Sequence, residues 1–200
     1  MKYSRLLNKK RTPLWVVGVV LVLGVAQQAG WLPDSTQEAG NKAVQTASQN
    51  QPGLYSIDHF VDGDTISVNM NGKKETIRMI GIDTPETHKP NTPVQCYGPA
   101  AAAYTKTIIG DTKVRLQSDP QSTDRDRYDR LLRYVYLPDG RLVQKELIQN
   151  GYAFAYTQFP FTKSDEFVQA QESAKTGNKG LWGNCNPYQQ GNGRWQTNNQ

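Results

Sequence analysis

The chain has 200 residues, 36% of them hydrophobic and 20% charged, which allows one domain of ordinary size with extensions. This balance excludes both a multi-span membrane protein and a wholly disordered chain, and two cysteines with two histidines exclude a disulfide-dense scaffold, a four-cysteine zinc site and an all-histidine metal site. The net charge of +5 is local: removing Lys2, Arg5, Lys9, Lys10 and Arg11 from the 23 basic residues leaves them balanced against 18 acidic ones. Affinity for nucleic acid must therefore come from local arrangement rather than from overall basicity.

Behind those five charges, residues 14–26 read LWVVGVVLVLGVA, without a polar side chain. Residues 1–33 thus read as a secretory signal peptide or a membrane anchor, and either places the remainder outside the cytoplasm. Residues 34–53 are a polar linker with one branched aliphatic, Val44, too little to offset the entropy of ordering it. The folded domain is expected over residues 54–188, and residues 189–200, with Trp195 stranded among polar residues, read as a disordered tail.

Within the domain, residues 54–61 read as a first strand. Ile66, Val68 and Met70 then alternate with Thr65, Ser67 and Asn69, the period of a half-buried strand. Asn71-Gly72 is a strong hairpin signal, and residues 75–82 return, with Arg78 facing away from Ile77 and Met79. A proline-rich loop leads to a helix from about Pro99 to Ile109. Residues 113–117 and 131–137 read as strands on either side of a charged loop. Short helices follow at 142–149 and 164–175. The order predicts an α+β fold: a five-stranded, partly open OB-fold barrel with about three helices outside.

Two segments concentrate carboxylates and glycines beyond the needs of packing: Asp62-Gly63-Asp64-Thr65, and the run from Arg78 through Asp83-Thr84-Pro85-Glu86. If the hairpin pairs as expected, Asp64 and Asp83 sit side by side, where they repel unless a cation joins them. Such hard oxygen ligands suit Ca²⁺ or Mg²⁺ rather than zinc. Glu86 is placed to act on a nearby water, and Arg78 beside a cation points to a phosphate substrate. The segment 126–130, Asp-Arg-Tyr-Asp-Arg, can bring a second arginine. Asp62 reads as a turn residue that supports the site. His59, His88, Arg125 and Arg133 read as solvated, Phe159 as core, and Tyr128 as the best candidate to stack on a base. In an exported protein the pair Cys96 and Cys185 favours a disulfide.

DGDT, then R-x-x-x-x-DTPE, then D-R-Y-x-R resembles the staphylococcal nuclease (thermonuclease) family. The YGPAAAAYTK helix, the Pro-Asp-Gly turn and KGLWG follow that family's usual order, so the resemblance spans about residues 56–188. It implies that Asp64, Asp83 and the Thr84 carbonyl hold Ca²⁺. It makes Glu86 the proposed general base, and Arg78 and Arg130 the phosphate-binding pair. It implies cleavage of the phosphodiester bonds of DNA and RNA; contacts directed at phosphate carry no base information and predict low sequence specificity, and without an oligomerisation signal a monomer is expected. Two departures stand out: Asp129 replaces the frequent glycine, placing a carboxylate beside Arg130, and Ala100 replaces a usual glutamate. The rival readings are a catalytically weak OB-fold module that only binds nucleic acid, and a phosphodiesterase of small nucleotides.

Overall fold

The computed structural model describes residues 53–87 and 93–199. The expected signal or anchor, nearly all of the linker, and His88 lie outside these residues. Among the described residues no helix is long and apolar enough to cross a membrane.

Five strands close a barrel in the order β1-β2-β3-β6-β5. They are β1 (Leu54–Asp62), β2 (Thr65–Met70), β3 (Lys73–Met79), β5 (Val114–Gln117) and β6 (Leu131–Tyr136). The expected hairpin sets the register. Asn71 and Gly72 both adopt positive φ, 55° and 89°, as the tight turn requires, and Thr65 pairs with Arg78 at the far end. The barrel is fully closed, because β1 reaches β5 through Leu54↔Arg115 and Tyr55↔Val114. Ile66, Val68, Ile77, Met79, Val114, Leu116, Leu131 and Val135 fill it, each burial contributing about 1.5–3 kcal/mol.

The alternation expected of β2 holds only for its apolar half, since Thr65 and Ser67 are buried as well. Their hydroxyls are satisfied by carboxylates, Thr65 by Asp64 and Ser67 by Asp58, which makes that burial tolerable. The return strand also breaks earlier than expected. It stops at Met79, turns at Gly81 (φ 75°), and resumes as β4 (Ile82–Asp83) paired with β7 (Phe154–Ala155). A side chain at Gly81 would put its Cβ 2.6 Å from the Phe161 ring, so packing as well as φ demands glycine there. Where β3 departs, Gln144 takes over the edge of β6: its Oε1 accepts from the Val135 amide and its Nε2 donates to the Arg133 carbonyl.

Three principal helices pack outside: α1 (Gly98–Ile109), α2 (Val143–Gln149) and α3 (Ser164–Thr176), followed by the single turn α4 (Leu181–Asn184). Gly98, Ala101, Thr105 and Ile109 are the buried stripe of α1, flanked by the partly buried Tyr104 and Ile108. Thr105 donates to the Gly63 carbonyl at 2.6 Å, tying the helix to the turn before Asp64.

The expectation of a disordered tail is corrected. Residues 188–196 form a hairpin of β8 (Tyr188–Gln189) and β9 (Trp195–Gln196). Trp195 packs on Phe154 and Trp182, with ring centroids 6.3 and 5.0 Å away, and Thr197 is fully buried. Polar composition misleads here because one indole and a covalent tether supply what the local sequence lacks. Cys96 and Cys185 form the expected disulfide, 89 residues apart in sequence. Phe159, read as core, is 68% exposed; Phe161 and Phe167 are the phenylalanines buried in the core here.

Candidate active site

The β2–β3 hairpin brings its two ends together, and the acidic residues arrive with them. Asp64 immediately precedes β2, and Asp83 closes β4, after the strand that carries Arg78. The Nη2 of Arg78 lies 3.1 Å from Asp64 Oδ2 and 3.3 Å from Asp83 Oδ1, so one guanidinium edge serves both carboxylates. The Nη1 of Arg78 donates to the carbonyls of Met79 (3.1 Å) and Ile82 (2.9 Å), locking it across the Gly81 turn. Asp64 Oδ2 also accepts from the amide and hydroxyl of Thr84, at 3.0 and 3.1 Å. This orients the backbone between Asp83 and Glu86.

Glu86 begins the next loop. Its amide donates to Gln95 Oε1 at 2.8 Å, its carbonyl accepts from the Gln95 amide at 2.9 Å, and its Oε1 accepts from the Thr87 amide at 3.1 Å. Gln95 therefore positions this loop, a role without a signal in the sequence. Asp62 accepts from the Gly63 amide and the Thr87 hydroxyl, and so braces the same loop from β1.

Burial, then the charges of Asp64 and Glu86, push the Asp62 carboxyl up to about 6. A carboxyl whose folded-state pKa is raised binds its proton more tightly when folded, so folding weakens as pH rises from about 4 through 6. Asp62→Asn removes the charge and keeps most of the shape. Its stability relative to wild type is expected to improve steadily between pH 4 and pH 6.5 and then level off. Thermal melts across this range in chelator check this; a constant difference would mean that Asp62 titrates normally.

On the charged loop, Asp126 holds Arg130: Oδ2 lies 2.7 Å from Nε and 2.6 Å from Nη2, and Oδ1 accepts from the Arg130 amide at 3.0 Å. Asp126 was not expected to have this part. Arg130 directly precedes Leu131, whose partner on β3 is Ile77, so the second arginine enters the sheet beside the strand of the first. Asp129 does adopt positive φ, 63°. Its carboxylate faces Arg125 (3.6 Å) and the arginine it adjoins in sequence is held by Asp126 instead. Arg125 also pairs with buried Glu75 at 3.0 Å, and Arg133 with Asp124 at 2.6 Å, so both staple the loop rather than standing in solvent. Tyr128 is 64% exposed, with the guanidinium of Arg127 4.7 Å and that of Arg130 5.4 Å from its ring centre. His59 is exposed on β1 and pairs with Asp58.

One residue of the site comes from the segment read as tail. Arg194 reaches Asp83 Oδ2 through Nε (2.9 Å) and Nη2 (2.7 Å). The cause is topological. Asp83 pairs with Phe154, Trp195 stacks on the Phe154 ring, and Arg194 is its chain neighbour.

The donor set suits a hard cation. Asp64, Asp83 and the Thr84 carbonyl offer oxygen, while both cysteines are spent in the disulfide. Burial pushes the Asp83 carboxyl up, opposed by Arg78 and reinforced by Asp64, so additional positive charge relieves the pair. Among the described residues no group of three or more acidic, histidine or cysteine side chains is arranged to hold a metal ion.

The family description "Staphylococcal nuclease homologue" matches residues 76–184. The chain belongs to the staphylococcal nuclease family. It is 39% identical over 170 residues to the thermonuclease of Staphylococcus hyicus, spanning 84% of this chain and 94% of that protein. It is 43% identical over 145 residues to endonuclease YncB of Bacillus subtilis (strain 168), spanning 70% of this chain and 68% of that one. The SPbeta prophage-derived endonuclease YokF of the same bacterium is 43% identical over 129 residues, 64% of this chain and 43% of that protein. The closed barrel and its helices agree with the family, and the class that follows is a nuclease, a hydrolase of the endonuclease type.

Proposed function

We propose that this chain is a calcium-dependent nuclease that hydrolyses phosphodiester bonds of DNA and RNA with low sequence specificity, outside the cytoplasm. The observation that carries the reading is Arg78 shared between Asp64 and Asp83, with Glu86 held on the next loop. The hydrophobic segment at 14–26 behind a basic flank supports export, with or without cleavage.

Asp64, Asp83 and the Thr84 carbonyl are the residues that would hold Ca²⁺, which supplies charge to the phosphate oxygens when bound. Arg78, whose Nη1 is fixed by two carbonyls and Nη2 by two carboxylates, sets its positive charge beside the same phosphate. Arg130 brings a second, its Nε and Nη2 on Asp126 and its Nη1 open to a ligand among the described residues. Together they stabilise charge as it grows on the phosphorus oxygens in the transition state. Glu86 orients the attacking water and accepts its proton, and the attack is in line with the departing oxygen. Contacts made through phosphate carry no base information, which accounts for low specificity. Exposed Tyr128 offers a ring face to any base beside that phosphate, whatever its identity.

The test uses the purified, oxidised protein with circular DNA, linear DNA and RNA, each in Ca²⁺, in Mg²⁺ and in chelator. Cleavage is expected in Ca²⁺, absent in chelator, and slowed about 10²–10⁴-fold in Glu86→Gln. Nicking of circular DNA marks an endonuclease. A folded protein that binds DNA with calcium and cuts nothing is the outcome of the binding-module reading. Cleavage of a dinucleotide faster than of polymer favours a small-nucleotide phosphodiesterase.

A further inference from the structure

The C-terminal segment is built into the site, and its attachment is redundant. The Cys96–Cys185 disulfide anchors its start. Further on, Thr197 Oγ1 donates to the Cys96 carbonyl at 2.9 Å, the Asn198 carbonyl accepts from the Cys96 amide at 2.8 Å, and Asn199 bridges to Gln95. Trp195 packs against both Phe154 and Trp182. Arg194 is thereby held over Asp83 from a segment that has its own structural support.

The result is a carboxylate with both oxygens occupied: Arg78 lies on Oδ1 and Arg194 on Oδ2. The two arginines are not equivalent. Arg78 is 15% exposed and also binds Asp64 and two carbonyls, so removing it uncovers several buried groups. The Arg194 side chain is 44% exposed; its guanidinium pairs with Asp83 and lies 5.6 Å from the centre of the Tyr156 ring, while its backbone amide donates to Asn192 Oδ1 and its carbonyl accepts from the Gln190 amide. A cation arriving from solvent meets Arg194 as the displaceable occupant.

We propose that Arg194 is an internal competitor of the divalent cation: its guanidinium occupies an oxygen of Asp83, a carboxylate that would hold the cation, so that binding requires its displacement and the hairpin sets the affinity of the site. This rests on the reading of Asp64 and Asp83 as cation ligands. In the cation-free protein the guanidinium neutralises Asp83. When Ca²⁺ binds, a unit positive charge a few ångströms away opposes it.

The experiment is calorimetric titration of the full, oxidised chain with CaCl₂ alone, without nucleic acid, so that it is read independently of catalysis. Arg194→Gln is expected to tighten Ca²⁺ binding about tenfold, the scale of one nearby charge at a partly exposed site. Arg194→Lys keeps the charge and is expected to stay within about threefold of wild type. In Asp83→Asn the further change Arg194→Gln is expected to give no tightening, since the carboxylate charge for which guanidinium and cation would compete is gone. The proposal is overturned if Arg194→Gln binds Ca²⁺ no tighter than wild type, or if the tightening persists in Asp83→Asn, which would reduce Arg194 to general surface charge. Failure of every variant to bind Ca²⁺ overturns it together with the cation-site reading. Glu86-dependent cleavage, measured separately, then reports whether the nuclease reading survives.

Discussion

Arg78→Lys is expected to reduce kcat/KM on DNA about 10²–10³-fold while the protein stays folded. Lysine keeps the charge but not the fork. Arg78 uses Nη1 on the carbonyls of Met79 and Ile82 and Nη2 on Asp64 and Asp83, and a single ammonium cannot meet all four in one plane. The phosphate then loses a preorganised, rigidly held positive charge, a loss typically worth this factor. Arg78→Met goes further, leaving two buried carboxylates facing each other without their shared partner. In chelator its unfolding free energy is expected to fall by roughly 3–5 kcal/mol. Calcium should recover part of this, because a divalent cation replaces the missing charge. Urea denaturation with and without Ca²⁺ measures both effects. An Arg78→Lys protein with wild-type kinetics would remove Arg78 from the transition state and leave it as scaffolding.

Replacing both Cys96 and Cys185 by serine is expected to lower stability by about 4–5 kcal/mol, from the entropy released to the unfolded chain when a loop of this length is opened. Against a typical total of about 5–15 kcal/mol this is a large share. The bond sits beside functional parts. Cys96 follows Gln95, which fixes the Glu86 loop, and its own backbone holds Asn198 and Thr197. Reduction should therefore loosen Glu86 and Arg194 together, and activity is expected to fall under reducing conditions before global unfolding sets in. Denaturation midpoints of the oxidised and double-serine proteins give the first number. A loss below about 1 kcal/mol would mean that the Trp195 packing already restrains the segment.

The parts of the site that lie close in sequence were legible without a structure. Asp64, Arg78, Asp83 and Glu86 sit on one hairpin and its exit loop, and Asn71-Gly72 sets the register that brings Asp64 and Asp83 together. Two-residue periodicity and one tight turn suffice for that argument. Arg130 needed the resemblance, because its approach to β3 depends on a parallel pairing across more than fifty residues. Its fixing partner Asp126 was visible only as one charge in a run of charges. Gln95 and Arg194 had no local signal: one lies after a proline-rich loop, the other in a polar tail.

Sequence alone thus determined the succession of strands and helices along the chain, the hairpin register, the disulfide partners and the chemical character of the constellation. Each of these follows from local backbone preference, alternation, or the scarcity of a residue type. Only the tertiary structure decided that the barrel closes fully, that β3 breaks at Gly81, and that the tail folds back onto the site. Those outcomes rest on contacts between distant segments: β1 with β5, Phe161 against Gly81, Trp195 against Phe154. The energy of such contacts is shared between surfaces that composition describes one at a time, so a polar segment with one well-placed indole and a covalent anchor can be ordered where its own residues predict disorder.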